Sequence, residues 1–366
     1  MGQGLASPTI LVAPLDWGLG HATRCIPIIR ALLLAGCTVL LAGDDKVKTL
    51  LQQEFPELRF LHLQGYQIQY ASTSWGLPLK IVAQIPKLLS TIKKEQEWLH
   101  KIVDEERIDA VISDNRYGLH HPGIKSVFIT HQLLIKAPFK KAEDYLQRLN
   151  YKYINQFDEC WVPDAEGNMN LAAELSHPKK MPAIPLRYIG ALSRFTKKVK
   201  REETHLLIIL SGPEPQRTLF EKNVVKELEV YTERVVLVRG LPQTMEKISL
   251  GSNVIVFNHL PSAEMEEQLV TASMVISRCG YSTVMDLAVL KKKSILIPTP
   301  GQTEQQYLAK RLMKRNFALC VEQKKFRLKQ ALDLAGHFEY QAINVENDNT
   351  LQAAILQLLV SFKKNI

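Results

Sequence analysis

One histidine and one aspartate stand where the sequence passes from an apolar segment into a polar loop. His21 follows the apolar segment Thr9–Leu15 and the loop glycines Gly18 and Gly20. A histidine at the start of a helix is favoured as the neutral base, because the helix end carries partial positive charge. His21 can therefore take a proton from an incoming hydroxyl, and a purely loop-capping role is the equal alternative. Asp114, which follows another apolar segment, is the second candidate base.

The stretch 277–306 contains two apolar segments, each of which runs through a turn into a predicted helix. Helix N-termini offer free N–H groups and partial positive charge to an anion. A carboxylate can accept two hydrogen bonds from a ribose diol, and a glutamine can bridge diphosphate or sugar hydroxyls. Helix capping is the alternative, because the pairs Thr283–Asp286 and Thr303–Gln306 have capping-box spacing. The candidate ligand-binding residues are Gly280, Ser282, Thr283 and Asp286 after the first turn, and Thr303, Gln305 and Gln306 after the second.

The remaining candidates also follow predicted strands, whose carboxyl ends are where open α/β sheets bind ligands. They are Ser211, Gly212 and Arg217 for a phosphate, His259 and Leu260 for a base edge, and Arg116, Tyr117 and His131 for a second substrate. A solvated helix surface for Arg217 and hydrogen-bonded loops for the histidines are the alternatives. Asp114, His120 and His121 are residue types that could bind a metal ion, but adjacent histidines in a proline-containing loop are more typical of a protein surface. We therefore predict no metal site.

These residues need strands and helices that bring them together. Apolar segments alternate with helical patterns along the chain, which is typical of βαβ units and a parallel sheet. The pattern begins twice, at Thr9 and again at His205, each time with a strand followed by a loop large enough for a phosphate. Between Ser176 and Thr204 three prolines precede a run of lysines, which predicts a connection between two domains.

The composition limits the class of protein. The chain has 366 residues and a formal net charge of +9, which favours acidic partners such as phosphates, nucleotides or anionic lipids. Nucleic acid is ranked low because no aromatic and basic residues interleave in a binding motif. The five cysteines are widely spaced and include no C-x-x-C pair, so we expect neither a zinc knuckle nor a disulfide framework, and a reducing cytoplasm fits best.

The sequence contains no apparent targeting segment, and its longest apolar run, Ala31–Gly43, is too short to span a bilayer. The sequence Leu77–Lys101 predicts a helical region with a bend at Pro86 and an apolar face flanked by lysines. Such a face suits the surface of a membrane, although packing against the core is the favoured alternative. We expect a cytoplasmic protein, with peripheral contact to the inner face of the plasma membrane as an option.

Three segments together resemble the C-terminal signature of glycosyltransferase family 28: Ser277 to Asp286, Ile297-Pro298, and Glu304 to Gln306. Gly18, Gly20 and His21 resemble the glycine-rich N-terminal loop of the same family, which includes the N-acetylglucosaminyltransferase that makes lipid II. The chain differs from the family in having Asp286 where glutamate is usual. It also has prolines after Ser211-Gly212 where the family has Gly-Gly-Ser. These differences favour a related enzyme with another acceptor.

The resemblance implies an α/β fold of the GT-B type, with two Rossmann-like domains whose parallel sheets face a cleft. Residues 1–192 would form the acceptor-binding domain, 193–348 the nucleotide-sugar donor domain, and 349–366 a helix that returns to the first domain. The implied reaction is inverting transfer of a sugar, with N-acetylglucosamine as one candidate, from a UDP-sugar to a cell-envelope or glycolipid acceptor. It would use neither a metal nor another cofactor.

The resemblance also implies the residue roles. Asp286 would hold the ribose, Gln305 and Gln306 would contact the sugar and diphosphate, and His21 would lie at the cleft. Three alternatives remain open. A UDP-sugar hydrolase of pseudaminic acid synthesis shares the first loop, and a non-catalytic nucleotide-sugar-binding protein would share the fold. A dinucleotide-dependent dehydrogenase, with Asp44 or Asp45 on the ribose, matches the first loop only in part, because Thr23 replaces the third glycine.

Overall fold

The structure is a computed structural model that describes residues 7–66, 77–137, 139–195, 204–246, 248–345 and 349–363, with backbone only for 77–85 and 363. The chain forms two compact units, with the main break between Leu192 and Ser193; among the described residues, 77–83 also group with the second unit. Residues 349–363 belong to the first unit. None of the helices in these ranges is long and apolar enough to cross a bilayer.

The first unit contains a seven-stranded, wholly parallel sheet with the strand order β3-β2-β1-β4-β5-β6-β7. Its strands are β1 (Thr9–Pro14), β2 (Thr38–Gly43), β3 (Phe60–His62), β4 (Ala110–Asp114), β5 (Lys125–Ile129), β6 (Glu159–Val162) and β7 (Leu186–Tyr188). Its helices are α1 (Leu19–Leu34), α2 (Asp45–Glu54), α3 (Leu77–Glu105, of which residues 84–105 belong to this unit), α4 (Lys140–Ile154) and α10 (Thr350–Lys363). Helix α10 packs against α1.

The second unit contains a six-stranded, wholly parallel sheet with the strand order β10-β9-β8-β11-β12-β13. Its strands are β8 (His205–Ile209), β9 (Val235–Val238), β10 (Val254–Phe257), β11 (Ala272–Ser277), β12 (Ser294–Leu296) and β13 (Leu319–Cys320). Its helices are α5 (Gln216–Leu228), α6 (Ser262–Thr271), α7 (Tyr281–Val289), α8 (Thr303–Lys314) and α9 (Leu328–Gly336).

The central strands of both sheets are buried on both faces, which explains why they read as continuous apolar runs instead of alternating patterns. Residues 10–13 of β1 are fully buried, and β9 is buried along its whole length. Helices cover both faces of such a sheet, because each strand-to-strand crossover must return over one face. The prediction of two successive parallel α/β domains is therefore confirmed.

Several elements differ from the sequence prediction. The strands β3, β7 and β13 were not predicted, because each has only two or three residues. Strand β7 lies in the segment predicted to connect the domains, and the lysine-rich part of that segment falls outside the described residues. Helix α3 continues beyond the predicted end to Glu105, with Pro86 inside it. Helix α1 begins at Leu19, so Gly20 and His21 lie in its first turn.

Candidate active site

Both sheets have a topological switch point, where strand order reverses and a crevice opens at the carboxyl ends of the strands. In the first unit this point lies between β1 and β4. The β1–α1 loop carries Gly18, and its φ of 116° is a conformation that only glycine adopts readily. His21 follows in the first turn of α1, and Asp114 is the last residue of β4. The topology therefore brings the two candidate bases together.

His21 and Asp114 are in hydrogen-bonding contact. His21 Nδ1 lies 3.1 Å from Asp114 Oδ1 and 3.0 Å from Arg24 Nη2. The ring nitrogen can donate to the carboxylate or accept from the guanidinium, but not both. Because Arg24 already donates to both oxygens of Asp114, we assign the proton to Nδ1. This tautomer leaves the lone pair on Nε2, and the His21 side chain is 19% exposed.

Asp114 is fully buried, and its role differs from that of an exposed base. Burial alone would raise the pKa of its carboxyl group, but the nearby Arg24 and His21 outweigh that effect and hold the pKa well below its usual range. Arg24 is itself 2% exposed and also lies 3.1 Å from His131 Nδ1 through Nη1. The site in the first unit is thus a cluster of His21, Arg24, Asp114 and His131.

Arg116 and Tyr117, predicted to face a second substrate, are held inside the first unit. Arg116 is fully buried and donates to Glu95 Oε1 at 2.7 Å. Tyr117 donates through its hydroxyl to Asn150 at 2.8 Å. The prediction for Arg116 is wrong, because a side chain with no exposed surface and a buried carboxylate partner cannot contact an acceptor.

The alternative readings of the first unit are not supported by its geometry. Asp44 is the N-cap of α2 and accepts a hydrogen bond from the Val47 N–H at 3.0 Å, so it has a capping role. His120 and His121 belong to no cluster of three or more metal-ligating side chains among the described residues. His121 Nδ1 accepts from the Gly123 N–H at 3.1 Å, and its ring packs against His100.

In the second unit the switch point lies between β8 and β11. Ser211 and Gly212 follow β8, and Gly212 has a φ of 102°. Gly280 follows β11 and is the N-cap of α7, without a side-chain cap. A Cβ built on Gly280 would meet no heavy atom within 4 Å. The N-terminus of α7, with Ser282 and Thr283 in its first turn, therefore has open space in front of it for a ligand.

Asp286 lies on α7, one turn below its start. Its Oδ1 accepts a hydrogen bond from the Ser193 hydroxyl at 2.6 Å. Burial raises the pKa of Asp286 to about 6, against the opposing effects of Arg194 and the Ser193 hydrogen bond. Since α7 begins at Tyr281 and not at Thr283, the capping-box explanation for Asp286 is removed. Asp286 as a whole is only partly buried, and its carboxylate has lone pairs for further hydrogen bonds.

The two glutamines of α8 have different surroundings. The helix begins at Thr303 with Gln302 as its N-cap, so the capping box proposed for Thr303 and Gln306 is also absent. Gln305 is 8% exposed, accepts from the Thr299 N–H at 2.9 Å and donates to Gln302. Gln306 is exposed at the helix start. Gln305 therefore fixes the β12–α8 turn, whereas Gln306 is available to a ligand.

Arg217, predicted to add charge to a phosphate site, is 6% exposed and ion-paired with Glu214 and Glu221. This prediction is wrong, because its charge is already neutralised inside the unit. Leu260 is 2% exposed, and His259 beside it is partly buried. Both follow β10, at the end of the sheet farthest from β13.

Residues 208–356 match the model of the glycosyltransferase family 28 C-terminal domain. The matched segment runs from β8 into α10. A further match is to the UDP-N-acetylglucosamine--N-acetylmuramyl-(pentapeptide) pyrophosphoryl-undecaprenol N-acetylglucosamine transferase of Desulforamulus reducens, with 43% identity over 60 residues. That alignment spans only 16% of this chain and 16% of the relative.

Solved structures resemble the chain over nearly its whole length. The glycotransferase of kitacinnamycin has a TM-score of 0.62 and 15% identity, with 97% of this chain and 94% of that chain covered. MurG of Acinetobacter baumannii has a TM-score of 0.53 and 15% identity, with 97% and 99% covered. These likenesses confirm the predicted GT-B fold.

The segment that matches this model includes every candidate of the second unit, from Ser211 to Gln306. Two partners of the candidate residues were not predicted from the sequence. The sequence does contain a signal for the first of them: Arg24 comes one helical turn after His21, and this spacing places both residues on one face of a helix. Ser193 lies 93 residues from Asp286, and no local pattern indicates that pair.

Proposed function

We propose that this chain is a glycosyltransferase that moves a sugar from a UDP-sugar, with UDP-N-acetylglucosamine as one candidate, to a lipid-linked or saccharide acceptor of the cell envelope. The observation that carries the proposal is the open N-terminus of α7 in a family 28 segment, with Asp286 one turn away. The D. reducens relative transfers N-acetylglucosamine from its UDP derivative to a pyrophosphoryl-undecaprenol acceptor, which supports the same donor and a lipid-linked acceptor here.

In this proposal the second unit holds the donor. The carboxylate of Asp286 accepts hydrogen bonds from the ribose hydroxyls, in addition to the one from Ser193. The diphosphate lies against Ser211, Gly280 and the starts of α7 and α8, where backbone N–H groups point outward. Gln306 reaches the sugar end. Arg217 and Gln305 take no direct part, because their polar groups are bound inside the unit.

The first unit supplies the base. His21 Nε2 takes the proton of the acceptor hydroxyl while that oxygen attacks the anomeric carbon of the donor. The bond to the UDP oxygen breaks, and the configuration at the anomeric carbon is inverted. Asp114 accepts the Nδ1 proton, orients the ring and stabilises the imidazolium that forms. We assign Asp114 this orienting role because it is fully buried and paired with Arg24.

The departing diphosphate needs a stabilising charge. We propose that the helix starts at α7 and α8 provide it, without a bound metal, because preorganised N–H groups act where negative charge develops. This assignment follows the family resemblance and the absence of an Asp-x-Asp motif from the sequence. Adding EDTA to the assay tests it directly: turnover that depends on a divalent cation would contradict it.

The acceptor is proposed to reach the protein from a membrane surface on the cytoplasmic side. Among the described side chains of α3, Lys87, Lys93 and Lys94 are exposed and Leu89 is 39% exposed, whereas Ile92 is buried. This arrangement combines basic and apolar groups on one side of the helix, which suits an anionic lipid surface. Residues 80–85 of the predicted face lie in the part where only the backbone is described.

The test is incubation of the purified protein with a panel of UDP-sugars, with and without a membrane lipid extract. Release of UDP only with the extract supports the transferase. Release without any acceptor would instead indicate a hydrolase, and binding without release a nucleotide-sugar-binding protein. His21→Ala should abolish UDP release and leave UDP binding intact by calorimetry, whereas Asp286→Ala should abolish binding. His337→Ala, at the exposed C-cap of α9, is the control and should change neither.

A further inference from the structure

Arg278 is a buried cation at the end of β11, two residues before Gly280. It is 1% exposed. Its Nη2 donates to the Gln216 carbonyl at 2.8 Å, and its Nη1 lies 3.4 Å from the Ile297 carbonyl. The guanidinium carbon lies 4.4 Å from the centre of the Phe220 ring. Its Nε has no hydrogen-bond partner among the described residues.

Arg278 differs from the other buried arginines in having no acid beside it. Arg24, Arg116, Arg217 and Arg239 are each ion-paired with a buried or largely buried carboxylate. No described carboxylate forms an ion pair with Arg278. Burial lowers its pKa to about 10, so the guanidinium stays charged at neutral pH. An unpaired buried charge costs several kcal/mol, which makes a purely structural role a poor explanation.

The position of the charge relates it to the strand-end loops of the second unit. Gln216 is the first residue of α5, and Ile297 directly follows β12. The guanidinium thus joins the chain segments that follow β8, β11 and β12, three neighbouring strands of the sheet. Each of these strands leads into a helix start, and each start already favours an anion. A fixed positive charge beneath them adds to the same field, and it lacks a counter-ion within the described part of the protein.

We infer that Arg278 is a positioning residue for the diphosphate of the donor. The bound diphosphate supplies the negative charge that no described carboxylate provides. This inference rests on the proposed function, because it assumes that a nucleoside diphosphate binds at these loops. Arg278 acts without touching the ligand, through its field and through the carbonyl groups of Gln216 and Ile297 that it holds in place. The effect must therefore depend on the charge of the ligand and not on its nucleoside.

The experiment compares UDP with uridine, measured by calorimetry on wild type and on Arg278→Met. Uridine carries the nucleoside without the diphosphate. We expect the variant to bind UDP on the order of tenfold more weakly, the size of effect typical of a fixed charge near but not in contact with an anion. Uridine affinity should not change. The thermal midpoint should stay level or rise, because an apolar side chain replaces an uncompensated charge.

Arg239→Met is the matched structural control, because that arginine is equally buried but paired with Glu221. It should lower the thermal midpoint. If Arg278→Met does not fold, Arg278→Gln carries the same comparison, since it keeps an N–H donor without the charge. Equal UDP affinity in wild type and variant would overturn the inference, as would an equal loss of UDP and uridine. Wild type that binds no UDP at all would overturn the proposed function itself.

Discussion

Replacing Asp286 by asparagine should stabilise the fold at neutral pH while it removes donor binding. Burial raises the pKa of Asp286 from 3.8 to about 6. In the folded state the carboxyl group keeps its proton up to about pH 6, whereas the unfolded chain loses it near 3.8. The folded state is therefore favoured by this group below pH 3.8, and the advantage disappears as the pH rises through 6. At pH 7 the ionised carboxylate is a cost that asparagine avoids.

The shift in the pKa of Asp286 sets the free-energy cost of its ionised carboxylate. A change of about two pKa units corresponds to about 3 kcal/mol. Because Asp286 is only partly buried, solvent screening reduces this figure, and we expect a cost of roughly 1–2 kcal/mol. Asparagine is nearly isosteric and still accepts the hydrogen bond from Ser193. UDP affinity should fall strongly, because the amide loses the charge that strengthens the ribose hydrogen bonds.

The assay is urea unfolding of wild type and Asp286→Asn at several pH values, with UDP calorimetry on the same samples. The difference in the free energy of unfolding should be present at about pH 7 and vanish near pH 4. Wild-type UDP affinity should weaken as the pH falls through 6. An asparagine variant that is less stable than wild type at every pH would refute the reasoning, since the carboxylate would then stabilise the fold.

Three further predictions concern other residues. Asp114→Asn should lower the free energy of unfolding by roughly 3 kcal/mol in urea, because it removes the carboxylate charge that pairs with the buried guanidinium of Arg24. His21→Ala should change the free energy of unfolding by less than about 1 kcal/mol. Gly280→Ala should leave the thermal midpoint unchanged, because the added methyl enters open space, but it should weaken UDP binding because that space is the proposed ligand site. Gly18→Ala should lower the free energy of unfolding by about 1–3 kcal/mol, because alanine is strained at a φ of 116°. His120 has a pKa lowered by burial and by neighbouring histidines, so stability should fall as the pH drops below 6.5, and His120→Gln should reduce that loss in thermal melts.

The sheets and the location of the candidate site could be predicted from the sequence. Buried parallel strands read as apolar runs. The turns after β1, β8 and β11 contain glycine, and Gly18 and Gly212 have the positive φ that glycine adopts most readily. Sequence order also predicts which loops share an edge of the sheet. The short edge strands could not be predicted, because two or three residues carry no periodic signal.

The ion-pair partners of individual charged side chains could not be predicted from the sequence. Arg217 and Arg278 both stand near a predicted phosphate site, yet one is neutralised by Glu221 and the other is not. The partner of Arg116 is Glu95, on a helix 21 residues earlier in the chain. Such pairs depend on how elements pack in three dimensions, and a single sequence does not contain that information in its local pattern.

Helix α10 belongs to the first unit but is synthesised after the second unit. This helix packs against α1, which carries His21, yet it follows the whole of the second unit in the chain. At about 5–20 residues per second, a ribosome needs roughly ten to thirty seconds to make the intervening residues 193–349. During that time the contact surface on α1 has no partner from α10. The first unit can therefore complete the packing around the helix that carries His21 only after the second unit has been synthesised.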